Sequence, residues 1–304
     1  MFSLPLLDMP SDTFYTQSPD WGWLIVIYFF LGGLAGGSAF LGALLDIWGA
    51  PVDRPIARIA HLIAAPLVAI GGVLLIFDLE RPAWFWHNLV QSKTGWPIFK
   101  WWSPISFGTW TVGAFSVFAT LAFIGVLAEM GKLPKSLTAL REGGLGKVIS
   151  ICSGVLGIFL CGYTGLLLSA TNRPLWGDTS LLGLLFLLSG VSAAAALLDL
   201  IAQRRGHPAS IEWLGQMDFW SSIIELVVVV VIAISLSSVV REVFDNWWGL
   251  LLLIGFVIAG VLIPVALQSW PRMLGSSALP IAAVLVLLGS FFLRWGVIMA
   301  SERL

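Results

Sequence analysis

Apolar runs of about 20 residues, each long enough to cross a bilayer as a helix, recur along the chain between short polar connections. They predict eight transmembrane helices, at 21–45, 56–77, 106–130, 147–170, 180–203, 218–240, 247–268 and 278–299, in an all-α integral membrane protein. The expected organisation is an exposed tail over 1–20, a first four-helix bundle over 21–175 and a second over 176–304. An even number of spans puts both termini on one face, called here the terminal face. The long connection DLERPAWFWHNLVQSKTGWPIFKWWSP carries Trp84, Trp86, Trp96, Trp101 and Trp102, which predicts a segment resting at the interface, with a short amphipathic helix near 83–90.

Composition sharpens this reading. Hydrophobic residues make up 58% of the 304 residues and charged ones 11%, where a soluble domain carries about 25% charged. The mean hydropathy is +0.95. A net charge of −1 excludes a generally basic, nucleic-acid-seeking surface. The start, MFSLPLLDMPSDTF, lacks a basic n-region and a long apolar h-region, so no cleavage is expected. Lys and Arg favour the far face (Arg54, Arg58, Lys132, Lys135, Arg141, Lys147, Arg204, Arg205, Arg272) over the terminal face (Arg81, Lys93, Lys100, Arg173, Arg241, Arg303). Under the positive-inside rule the termini then face the periplasm or cell exterior, in a bacterial or archaeal cytoplasmic membrane.

Candidate chemistry centres on CGYTGLLLSATNRPLWGDT, residues 161–179. Tyr163 lies roughly 12 Å below Thr171, in an apolar layer under a mouth of Asn172, Arg173, Trp176 and Asp178. Tyr28 is at a matching depth in the first span, roughly 10 Å from its start. Such phenols are either interface-belt residues with wet hydroxyls or parts of a shared pocket, and the matched depth favours the pocket. Asp78 closes the second span on the same side; it is a structural ion-pair partner of Arg81 or Arg173, or a carboxylate with a raised pKa that relays protons. Glu225, counted from a span starting at Asp218, and Arg294 reach the same layer. A structural intramembrane pair is favoured for these two over catalysis, and a proton path through Glu225, Arg294, Asp199 and Asp46 is the other reading. Asp46, Glu129 and Asp199 stand at far-face helix ends, where headgroup solvation is expected.

The first span also holds LGGLAGGSAFLG, with two overlapping GxxxG motifs (Gly32/Gly36, Gly33/Gly37) that allow close helix approach and fix where Tyr28 points. Cys152 and Cys161 are nine residues apart, on opposite sides of one helix, and there is no C-x-x-C for an iron–sulfur cluster. Only His61 falls within a span, which disfavours a bis-histidine haem. No metal site is expected in this chain.

LGGLAGGSAFLGALL, then DLERPAWFWHNL leading to SPISFGTW, then GYTGLLLSATNRPLWGDT resemble the NrfD / polysulfide reductase membrane-subunit family. The three motifs occur in the right order over 21–198, and the last third matches in span count. The resemblance implies a haem-free, eight-span module that binds menaquinone or ubiquinone among its first four helices. It also implies a ferredoxin-like iron–sulfur subunit on the terminal face and a molybdopterin catalytic subunit beyond it. Tyr163 would then contact the quinone. Tyr28 stands where some members carry His, and a tyrosine is the poorer proton shuttle. On this reading Asp78 and Tyr163 carry the chemistry, and Tyr28, Asp78, Tyr163, Asn172 and Arg173 bind the head. The rival classes are an ion- or proton-translocating subunit or secondary transporter without a redox role, and a purely structural anchor.

Overall fold

The structure is a computed structural model describing residues 21–79, 81–171, 173–205, 208–270 and 275–301. The tail over 1–20 and Asn172 lie outside the described residues. The long helices are α1 (Trp23–Trp48), α2 (Arg54–Phe77), α3 (Pro104–Glu129), α4 (Gly143–Ser169), α5 (Leu181–Arg205) and α6 (Pro208–Ser235). A short α7 (Ser237–Phe244) follows, and α10 (Ala278–Ser301) comes last. Between them the seventh span is built from α8 (Trp247–Leu250), a π-helical stretch over Leu251–Leu262 and α9 (Ile263–Ser269). Eight helical segments are long and apolar enough to cross a membrane. The protein is a multi-pass, all-α membrane protein.

Local chemistry sets several starts. Pro104 occupies the first turn of α3 while the Ser103 side chain accepts from the Ser106 N–H. Asn246 caps α8 by accepting from Trp248 and Gly249. The expected helix near 83–90 is a 3₁₀ helix, Pro82–Asn88, begun by its proline.

Burial identifies the axis of the fold: 72% of the most apolar stretch of α1 and of α5 is buried, against 33% in α6 and in the seventh span. The glycine motifs make this possible. A Cβ on Gly36 would run into the Gly157 carbonyl and the Cys161 sulfur, and one on Gly37 into the Gly190 carbonyl. The backbone of α1 therefore touches α4 on one side and α5 on the other, the close approach that replaces a hydrophobic drive inside lipid. In the same way Gly260 of the π-helical stretch meets Gly289 of α10.

One boundary differs from the sequence reading by more than a few residues. The sixth span does not begin at Asp218; α6 starts at Pro208, and a break at Leu236 separates it from α7. Asp218 is buried at 3% exposure and held by other helices, so this carboxylate does not mark a membrane edge.

Candidate functional site

Two buried phenols sit under the terminal face, each seated on a glycine of a neighbouring helix. Tyr163 of α4 lies over Gly108 of α3, where any Cβ would collide with its ring and hydroxyl. Its hydroxyl donates to the Pro104 carbonyl at 2.5 Å. Tyr28 of α1 lies on Gly71 of α2, where a Cβ would stand 3.2 Å from the ring. Counted from their helix ends, both are about 8–9 Å deep. They lie within electrostatic reach of each other. The Tyr28 hydroxyl forms no hydrogen bond to a described residue, whereas Tyr163 has committed its proton.

An aromatic ladder leads from lipid to Tyr163. Phe159 stacks on it with centroids 6.1 Å apart at 25°, and Phe107 lies 5.5 Å from Phe159. Phe107 and Phe159 are 37% and 38% exposed on the outer surface between α3 and α4. A flat apolar ring could reach Tyr163 along this seam.

Above the phenols the 171–179 connection divides into anchors and a mouth. Trp176 is fully buried, donates from Nε1 to the Val297 carbonyl at 2.8 Å and stacks on Trp21. Leu175 adopts a left-handed backbone (φ 67°), and its N–H donates to Asp178 at 2.9 Å. Ser301 donates to the Pro174 carbonyl. Trp176 and Ser301 thus hold the connection down onto α10, while Asp178 closes a turn within it. Arg173 lies over the Trp176 ring at 5.6 Å. Asp78 ends α2 about 10 Å above Gly71, at the rim rather than beside the phenols. It makes no ion pair with Arg81 or Arg173 among the described residues. Burial pushes its carboxyl above the usual carboxylate range.

Asp46 and Glu129 are not left to headgroup solvation. Asp46 accepts from His61 Nε2 at 2.8 Å, from both terminal nitrogens of Arg141 and from Ser150 at 2.7 Å. Glu129 pairs with Arg54 at 2.7 Å and Arg58 at 2.8 Å, with Arg141 Nε at 3.8 Å. This far-face network joins α1, α2, α3 and α4. His61 is engaged there.

The second half holds a separate run of buried polar groups. Gln203 donates to Asp199 at 2.7 Å. Asp218, which in the sequence marks only a boundary, accepts from Ser192 and from Gln268 at 2.6 Å, and Ser192 lies 3.2 Å from Ser222. Higher up, Glu225 is buried at 3% exposure with its Oε1 lacking a hydrogen bond, and Ser189 donates to Ser290 at 3.0 Å. Arg294 has no exposure and donates to Ser189, Ser290 and the Phe29 and Phe186 carbonyls. Gly33 makes room for this guanidinium. Glu225 and Arg294 form no direct ion pair among the described residues; Arg294 is bonded instead to Ser189 and Ser290. Glu225 does reach the Arg294 level, because it lies ten residues below the terminal-face end of α6, not seven past its start. Asp46 is apart from this run. Serines bonded across helices are the signal that sequence reasoning misses; nothing in their spacing pairs them. Among the described residues no group of three His, Cys, Asp or Glu forms a metal site.

Comparison with known proteins adds the lineage. A family model described as polysulphide reductase, NrfD, matches residues 12–303. Protein NrfD of Escherichia coli is 27% identical over 96% of this chain and 98% of its own length. One subunit of the polysulfide reductase of Wolinella succinogenes is 32% identical over 57% of this chain and 55% of its own length. A protein NrfD homolog of Haemophilus influenzae is 24% identical over 97% and 98%.

Proposed function

Because the chain belongs to the NrfD polysulphide reductase family, we propose that it is the membrane subunit of a reductase complex and exchanges electrons between a menaquinone- or ubiquinone-type carrier and an iron–sulfur partner. The observation that carries this reading is the pair of buried phenols at one depth, reached from lipid by the Phe107–Phe159 ladder. The hydrogen-bond inventory fits a quinol head. Tyr163, having given its proton to the Pro104 carbonyl, offers only oxygen lone pairs and so accepts from a quinol hydroxyl. Tyr28 keeps a free donor for the other oxygen of the head or for the oxidised carbonyl.

Oxidising a quinol frees two electrons and two protons. On this reading the electrons pass to a ferredoxin-like subunit on the terminal face, above Arg173, and on to a molybdopterin subunit. Asp78, with its raised proton affinity at the rim, takes protons toward that face. Arg173, over the Trp176 ring, completes the mouth. The excess of Lys and Arg on the far face supports a cytoplasmic-membrane location with periplasmic termini.

The test is quinol oxidation by membranes carrying the whole complex. Tyr163→Phe removes the acceptor while keeping the ring, and should lower turnover about tenfold, equivalent to ~1.4 kcal/mol of transition-state binding, with insertion intact. Wild-type turnover in that variant would remove Tyr163 from the site.

A second reading is favoured by one specific observation, the buried run through Asp199, Asp218, Ser192, Ser222, Glu225, Ser189 and Arg294. Proton translocation along it would make the protein an ion-translocating subunit, with or without quinone chemistry. Glu225→Gln should then abolish proton movement in vesicles; unchanged movement would assign the run to packing.

A further inference from the structure

Two cavities open side by side at the far end of the first helices, and they differ in character. The first, about 300 Å³, is walled by Asp46, Arg54, Arg141, Lys147, Ser150 and the start of α4 at Gly143 and Gly146. The second, about 320 Å³, is walled by Leu44, Trp48, Trp213, Met217 and Asp53, whose carboxylate is taken up by the Ala50 N–H and Ser210, and shares Leu45, Gly49 and Ala50 with the first. Three features give the first an appetite for an anion. Asp46 is paired inward with Arg141 and accepts hydrogen bonds from His61 and Ser150, so its charge does not dominate the wall. Lys147 is exposed and joins no ion pair among the described residues, and Arg54, though paired with Glu129, keeps its side chain 53% exposed. The 27-residue α4 begins at Glu142 with no side-chain cap, so its first N–H groups have no side-chain acceptor. Arg141 adds a buried Nε without a hydrogen bond. A free phosphate would need only this first cavity. The adjoining one, mostly apolar, flanked by two tryptophans and with Asp53 already hydrogen-bonded, suits a ligand that continues into hydrocarbon.

We propose that the paired cavities hold one anionic phospholipid, its phosphate against Lys147, Arg54 and the uncapped start of α4, its glycerol and acyl carbons between Trp48 and Trp213. Basic pockets between spans on the cytoplasmic side are where such headgroups bind. The lipid would join α1, α2, α4 and α6, and so both halves of the molecule. The proposal is independent of the quinone reading.

The purified full-length protein, subjected to native mass spectrometry with phosphatidylglycerol and phosphatidylcholine of the same acyl composition, tests it. Phosphatidylglycerol should be retained preferentially. Lys147→Glu should cut that retention roughly fivefold or more, while Lys132→Glu, exposed on the same face but outside both cavities, should not. If Lys147→Glu fails to insert, Lys147→Gln should show the same direction. Trp213→Ser should weaken retention as well. Equal retention of the two lipids, or equal effects of the Lys147 and Lys132 variants, means annular lipid only and overturns the proposal. Full displacement by inorganic phosphate with no effect of Trp213→Ser assigns the cavity to a free anion and overturns it equally.

Discussion

The two ends of the first four helices bury polar groups in opposite ways. At the far end Asp46 and Glu129 are surrounded by Arg54, Arg58, Arg141, His61 and Ser150, so each carboxylate has several donors. At the terminal end the buried groups are neutral phenols, packed on glycines and sparsely bonded. A carboxylate held by several donors is structural and resists change, even where Glu129 Oε2, His61 Nδ1 and Arg141 Nε keep no hydrogen bond of their own. A phenol with an unused donor or acceptor costs less to bury than an ion and stays available to a ligand. On the proposed function, the contrast puts stability at one end of these helices and exchangeable chemistry at the other.

The largest expected effect breaks the ion-paired end. Arg141→Ala strips Asp46 of its two guanidinium donors and leaves a buried carboxylate underpaired, a loss of about 3–5 kcal/mol. Unfolding in detergent should show it directly. Pairing Arg141→Gln with Asp46→Asn should recover much of the loss, because no uncompensated charge remains. A single variant as stable as the wild type would mean that this end is not held by its ion pairs.

The next effect belongs to the terminal end and should divide activity from stability. Gly108→Ala puts a methyl group where the Tyr163 ring lies, so the ring must leave its seat. Overpacking of this kind costs about 1–3 kcal/mol, and the displaced hydroxyl should lower quinol turnover at least as far as Tyr163→Phe does. Gly113→Ala is the control on the same helix, since a Cβ there meets nothing within 4 Å. It should leave turnover unchanged. Equal turnover in both variants would detach the seat from the chemistry.

What is legible in the sequence follows the range of the interactions involved. Span number and most span ends are written in local apolar runs, and the close approach of α1 to its neighbours in Gly32, Gly33, Gly36 and Gly37. The matched depth of Tyr28 and Tyr163 needs only the helical rise. Partnerships across helices are not legible: Asp46 and Arg141 are separated by 95 residues, and Asp218 and Gln268 by 50. A lone Asp in an apolar sequence looks like a boundary until the Ser and Gln that satisfy it are known, which is why the apolar pattern starts α6 ten residues late. The seats at Gly71 and Gly108 are equally hidden, because a glycine's vacancy means something only once the ring that fills it is in place. In sequence the 171–179 connection looks like a mouth alone, while in the fold Trp176 anchors it to α10 and Asp178 closes its turn.

The smallest effect concerns Asp78, which stands between the two cases: a carboxylate like those of the far end, placed at the terminal rim without an ion pair among the described residues. Burial raises its folded pKa above the ordinary aspartate value. Between those two values the folded protein holds more protons than the unfolded one, so stability should fall as pH rises through that window and level off above it. Asp78→Asn should remove this slope, readable as a flatter midpoint-against-pH curve near and above the ordinary Asp range. The same variant separates a relay from a helix end that merely tolerates a carboxylate. As a relay, Asp78→Asn lowers turnover and shifts the pH profile of quinol oxidation, because a proton acceptor has been lost. As a plain helix end it flattens the stability curve and leaves turnover alone, and proton release would then have to leave the phenols by a route that bypasses the rim of α2.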